Sequence, residues 1–135
     1  MGLDNGIQVR RTPATNKIEE LKVFNDSWDK EFKYDFEVTY WRKCWNIRND
    51  ILCILAKRFS DEYEVTLSTD DIDSIIELLQ SYNAENWEES GSSIWEWDDV
   101  EWPYSEKIKQ DIENLKLLRS LMNKYDLEVY FYDSY

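Results

Sequence analysis

Residues 108–132, IKQDIENLKLLRSLMNKYDLEVYFY, carry two hydrophobic periods in succession. Ile108, Ile112, Leu115, Leu118, Met122 and Tyr125 recur every three or four positions, which lays them along one stripe of a helix about five turns long. Pro103 stands where that helix begins, and Ser105 is its expected cap. After Asp126 the spacing drops to two, with Leu127, Val129 and Phe131 alternating with Glu128, Tyr130 and Tyr132, the pattern of a strand.

The same interleaving of patterns recurs upstream. Ser68-Thr69-Asp70-Asp71 reads as a capping box that opens a helix with Ile72, Ile75, Ile76 and Leu79 inward, and its early acids suit the helix dipole. Tyr63 to Leu67 alternate as a strand just before it. A helix carrying Trp41, Cys44, Trp45, Ile51, Leu52, Leu55 and Phe59 is expected to start near Tyr40. Tyr34, Phe36, Val38 and Tyr40 alternate with Asp35, Glu37 and Thr39 as a strand or an extended lead-in to it. Near the start, Gly2 and Gly6 read as turn residues, Ile7 and Val9 as one side of a short strand, and Thr12-Pro13 as its end. Thr15 or Asn16 then caps a helix running to about Glu31, with Ile18, Leu21, Phe24, Trp28 and Phe32 at helical spacing. The order β-α-β-α-β-α-loop-α-β predicts an α+β fold with about four helices and a small, mostly antiparallel sheet. At 135 residues the chain has the size of one domain, 1–135, and seven Trp, nine Tyr and five Phe supply a core without disulfide or metal staples.

Composition excludes several chemistries. With no His and two Cys, neither a Cys/His zinc site nor a His-based nucleophile triad can be assembled. Cys44 and Cys53, nine positions apart on one expected helix, fall on opposite sides of it and cannot pair there. Glycine-rich phosphate loops, dinucleotide fingerprints and calcium-loop patterns are absent. No cofactor and no catalytic residue is expected; acid/base chemistry would have to rest on carboxylates, Lys or Tyr, and a carboxylate-based small hydrolase is the enzyme alternative. Glu96, Asp98, Asp99 and Glu101 are the acids that a divalent cation would need, but no defined loop converges them, so no metal site is expected. No cationic leader and no long apolar run stands in the sequence, so the expected setting is the reducing cytosol, with no membrane association.

Charge is where the sequence is most specific. The net charge is −13, yet residues 59–106 contain fifteen acids and no Lys or Arg, while the rest of the chain holds 14 acids against 16 bases. Such a field repels nucleic acid and attracts basic surfaces. Within that block, residues 83–103 show no clean period, apart from a short strand expected at Ile94 to Trp97, and they read as a long loop carrying Trp87, Trp95, Trp97 and Trp102. Trp is enriched at the centres of binding surfaces. Trp87, Trp95, Glu96, Trp97, Asp98, Asp99, Glu101 and Trp102 are therefore the expected contacts to a partner protein with a basic surface. The bland alternative is that the acids only solvate one face of the molecule.

Arg48 is the second candidate feature, because helical geometry places it inside the apolar stripe with Trp41 and Leu52. A guanidinium there needs a partner. It is either an internal ion pair or the floor of a pocket for an anionic, nucleotide-like small molecule, with Tyr40, Trp41, Arg42 and Lys43 around it.

Four pieces of the chain carry a resemblance. The opening Met1-Gly2-Leu3-Asp4, the run Phe36 to Lys43 with Asn46 and Ile47 after it, the pair Glu101-Trp102, and the ending Asp133-Ser134-Tyr135 are similar to a family of small bacteriophage and prophage proteins. The family commonly has His where Arg48 stands, and more Phe and Gly where this chain has Gly91 to Tyr104. The resemblance implies a phage accessory protein acting inside a bacterium. Joined to the acidic block, it gives the expectation of a counter-defence inhibitor that imitates nucleic acid on a host protein. A virion assembly role is the remaining alternative.

Overall fold

The computed structural model describes residues 4–25, 34–42, 45–55, 64–82 and 105–134. Four strands, β1 (Asp4–Val9), β2 (Phe36–Arg42), β3 (Glu64–Thr66) and β4 (Val129–Ser134), form one antiparallel sheet in the order β2-β1-β4-β3. Among the described residues the α-helices are α1 (Trp45–Ile54), α2 (Thr69–Ser81) and α3 (Ser105–Lys124). The fold is α+β, as the sequence predicts. None of the described helices is long and apolar enough to cross a membrane.

Pairing puts the first and last strands side by side at the centre of the sheet. Ile7 lies opposite Phe131 and Val9 opposite Val129, and all four are fully buried. This inner face meets Ile47, Ile51 and Leu55 of α1 and the residue after it, Ile72, Ile75 and Leu79 of α2, and Ile108, Leu115, Leu118 and Leu121 of α3, in a single core. The opposite face carries Gln8, Tyr40, Glu64, Thr66 and Tyr132, all at least partly exposed.

α2 starts as its sequence dictates. The Ser68 hydroxyl accepts the Asp71 N–H at 3.2 Å and the Asp71 carboxylate accepts the Ser68 N–H at 2.8 Å, which satisfies two of the helix's orphan donors. α3 likewise follows its stripe, with Ile112, Met122 and Tyr125 packed on the edge of the core.

Three expectations are corrected. The helix expected to run from Thr15 to Glu31 is, in its described part, two 3-10 segments, Thr15–Lys17 and Glu19–Phe24, separated by an extended Ile18. Ile18, Leu21 and Phe24 stand three apart, which is the 3-10 period, and Leu21 and Phe24 are buried by it. Hydrogen bonds exchanged between Thr12 and Thr15 tighten the entry. Trp28, Glu31 and Phe32 lie outside the described residues.

The second correction concerns Trp41, which belongs to β2 and not to a helix; α1 begins only at Trp45. Ile7 pairs with Thr39, but Gln8 pairs with Glu37, so Val38 is an extra residue on β2. The bulge changes the strand's phase. Phe36 and Val38 point inward before it, Thr39 and Trp41 after it, and Tyr40 turns to the outer face with 39% of its surface exposed.

Gly6 is the third. It sits inside β1 opposite Tyr40 and Tyr132, not in a turn. Its role is close approach: a Cβ there would lie 2.3 Å from the Thr39 carbonyl oxygen.

Candidate functional site

One end of the sheet's inner face is polar. Asn5 of β1 lies opposite Trp41 on one side and Asp133 on the other, so three strands present these side chains in a row. All three are buried to within 2% of completely. Alternation accounts for the placement, since Asn5 and Asp133 continue the inward positions of Ile7 and Phe131.

Each flank of the row is tied to a helix by charge. Arg48 of α1 donates its Nε–H to both oxygens of Asp133 at 2.9 and 3.0 Å, and also reaches Asn49 Oδ1 at 3.3 Å. The side chains are 13% and 2% exposed, so this is an internal ion pair. On the other flank the Trp41 indole N–H donates to Asp111 Oδ2 of α3 at 2.8 Å, and Lys107, one turn earlier, donates to both Asp111 oxygens at 2.9 and 3.1 Å. The Lys107 ammonium stands 5.6 Å from the Trp41 ring. Burial pushes the Asp111 carboxyl above the usual carboxylate range, while Lys107 and the indole pull it back. Between the two pairs, neither polar atom of the Asn5 amide nor the Thr39 hydroxyl has a hydrogen-bond partner among the described residues. The arrangement pairs two cations with two carboxylates. What it does is lock β2 to α3 and β4 to α1.

Of the residues expected to line an anion pocket, the structure therefore separates two. Tyr40 and Trp41 are neighbours on a strand and face opposite sides of the sheet. Arg48 is engaged by Asp133. Arg42 is described as backbone only, and Lys43 lies outside the described residues. The expected partner contacts Trp87, Trp95, Glu96, Trp97, Asp98, Asp99, Glu101 and Trp102 also lie outside them.

Of the described acids of the 59–106 block, Asp70 and Glu77 are exposed, and Glu106 pairs with Lys109 of its own helix at 3.3 Å. Asp71 caps α2, Glu64 pairs with Arg10 at 2.6 Å, and Asp73 pairs with Arg119 at 2.9 Å. Seven more acids and four Trp fall in residues 83–104, where the sequence supplies no cation. Both flanks of that segment are fastened. The Tyr82 hydroxyl donates to Asp50 of α1 at 2.5 Å, and the first turns of α3 are held through Lys107 and Asp111 to Trp41.

Sequence reasoning missed Asp111 and Asp133 as structural partners. The signal for both was present: Asp111 stands three residues after Ile108 on the buried stripe, and Asp133 two after Phe131 on the buried side of the strand. It also missed the role of Arg10 on the outer face, where the guanidinium pairs with Asp35, Glu64 and Glu128 and lies 4.2 Å above the Tyr130 ring. Those three acids are far apart in the chain, so no local spacing marks them. Among the described residues no cluster of His, Cys, Asp and Glu is arranged to hold a metal ion. No protein-family model matches the chain, and no characterised protein or solved structure does so either.

Proposed function

We propose that the chain is a binding protein whose residues 83–104 occupy the basic surface of a partner protein. Carboxylates stand in for phosphates and indoles act as anchors. The partner's class is a host bacterial protein that binds nucleic acid, and the setting is a phage or prophage countering host defence. The observation that carries the reading is the density of acids and indoles in one stretch of chain. Residues 83–104 hold seven acids and four Trp with no Lys or Arg. On either side of it, Tyr82 is hydrogen-bonded to Asp50 of α1 and Asp111 of α3 to Trp41 of β2.

The test is competition and salt. A bacterial nucleic-acid-binding protein captured by this chain is expected to be displaced by duplex DNA. Its affinity should fall about tenfold or more as the salt is raised from well below to well above physiological strength. Replacing Glu96, Asp98, Asp99 and Glu101 with Gln or Asn should remove most of that salt dependence. Trp95→Ala or Trp97→Ala is expected to cost about 2 kcal/mol each, as hot-spot anchors do. Salt-independent binding, or full binding by the neutralised variant, overturns the reading.

A further inference from the structure

A second site lies away from the acidic segment. Arg11, Asn16, Lys22, Asn25 and Phe36 line a cavity of about 200 Å³ between the 3-10 segments and the edge strand β2. Phe36 is buried and forms its floor, with the Arg11 guanidinium stacked 4.0 Å over the ring.

The two amides are oriented by chemistry. Arg11 donates to Asn16 Oδ1 at 2.5 Å and to Asn25 Oδ1, and its Nε donates to the Tyr34 carbonyl at 2.6 Å. A guanidinium has no acceptor, so each Asn must turn its oxygen toward Arg11 and its NH₂ away. Neither NH₂ group has a protein partner among the described residues. Lys22 brings an ammonium that is half exposed and, among the described residues, pairs with the outward Glu19, a surface contact of small worth. Asp35 meets the Arg11 backbone N–H at 2.9 Å. The wall thus gathers two cations and two amide donors in a protein of net charge −13, and the acceptors of both amides are already used.

We propose that this cavity binds a small molecule through an oxyanion group, a phosphate monoester or a carboxylate. Its volume is below that of drug-sized pockets, which limits the occupant to a single anionic headgroup with a short organic part. Arg11 supplies charge held in place by Asn16, Asn25 and Tyr34, Asn16 and Asn25 supply donors, and Lys22 closes the rim.

The experiment is an NMR titration of the full chain with inorganic phosphate, glycerol 3-phosphate and acetate in separate arms, each against sodium chloride at equal ionic strength. Binding is expected to move the side-chain NH₂ signals of Asn16 and Asn25 saturably, and the arm that saturates at lower concentration identifies phosphate or carboxylate as the natural group. Asn16→Asp keeps an oxygen for Arg11 but replaces the donor with a negative charge, so it should fold and bind at least tenfold more weakly. Lys22→Gln, at an exposed position, should weaken binding several-fold. Shifts that track the chloride control, or equal affinity in Asn16→Asp and wild type, overturn the proposal. None of these outcomes depends on residues 83–104.

Discussion

Trp41 in β2 and Asp111 in α3 meet in a buried hydrogen bond of 2.8 Å, the indole donating to the carboxylate across 70 positions of chain. An indole N–H needs an acceptor when buried, and Asp111 provides it at the cost of its own desolvation. Asp111→Asn retains an acceptor and is expected to change stability at neutral pH by no more than about 1 kcal/mol. Asp111→Ala leaves the indole N–H unpaired and should cost about 2 to 3 kcal/mol. The two variants also differ from wild type in pH dependence. Burial raises the Asp111 carboxyl, so the folded state holds this proton more tightly than the unfolded one. The contribution is fully present below the ordinary carboxylate range and is lost as pH rises through the higher folded value. Denaturant midpoints measured across mildly acidic pH should show this slope in wild type and lack it in Asp111→Asn.

Arg48 and Asp133 form a buried ion pair. Its worth in isolation is small, but either partner left alone is costly. Arg48→Met and Asp133→Leu are each expected to lose about 3 to 5 kcal/mol, and the double variant to recover a large part of that loss. Urea unfolding of the four proteins in a double-mutant cycle measures the coupling. Additive losses would mean that Arg48 and Asp133 act independently.

These two relationships mark where the sequence was readable. Local patterns with one period, the Ile108 stripe and the Ser68 to Asp71 cap, led straight to α3 and α2 because each is decided within a few turns of chain. The sheet's alternation was legible for β1 and β4 through Ile7, Val9, Val129 and Phe131. β2 was legible as an extended stretch but not in its phase, because the bulge at Val38 moves Trp41 inward and Tyr40 outward, and its cause lies in the pairing with Ile7 and Gln8. Arg48 was recognisable as a charge in an apolar stripe, which left an ion pair and a ligand site open; choosing between them required Asp133, 85 positions away. The Arg11 cavity had no sequence signature, since it is assembled from two 3-10 turns that read as one helix.

Gly6 offers a test of the sheet itself. Its hydrogen lies against the Thr39 carbonyl, and a methyl group there would sit 2.3 Å from that oxygen and 3.1 Å from the Tyr132 ring. Ring atoms can yield, but the carbonyl belongs to the bulged part of β2 and cannot move without breaking the pairing of Gly6 with Tyr40. Gly6→Ala is expected to destabilise by about 2 to 3 kcal/mol, in the upper range for overpacking. Hydrogen exchange should show the loss first in β2, with β4 amides protected longer. Uniform loss across the sheet would argue against a local clash.

The outer face of the sheet has its own fastening, centred on Arg10 and Tyr130. The Tyr130 hydroxyl meets Gln8 and Asp35 at 2.5 and 2.6 Å, while the Arg10 guanidinium covers the ring and reaches Asp35, Glu64 and Glu128. Burial, and then the hydrogen bond to Asp35, push the Tyr130 phenol well above the ordinary tyrosine value. The folded state therefore keeps this proton longer than the unfolded chain. Its stabilising contribution is complete below the ordinary tyrosine value and disappears as pH climbs through the folded one. Tyr130→Phe should cost about 1 to 2 kcal/mol at neutral pH and flatten the alkaline fall in melting temperature. Arg10→Gln removes the charge that favours tyrosinate together with three partly exposed ion pairs, and should cost about 1 to 2 kcal/mol. A tyrosinate absorbance titration separates the two effects, because wild type should show a late-ionising component that Tyr130→Phe lacks and Arg10→Gln retains. If the late transition survives in Tyr130→Phe, the protected phenol belongs to another tyrosine and the fastening of this face through Asp35 is wrong.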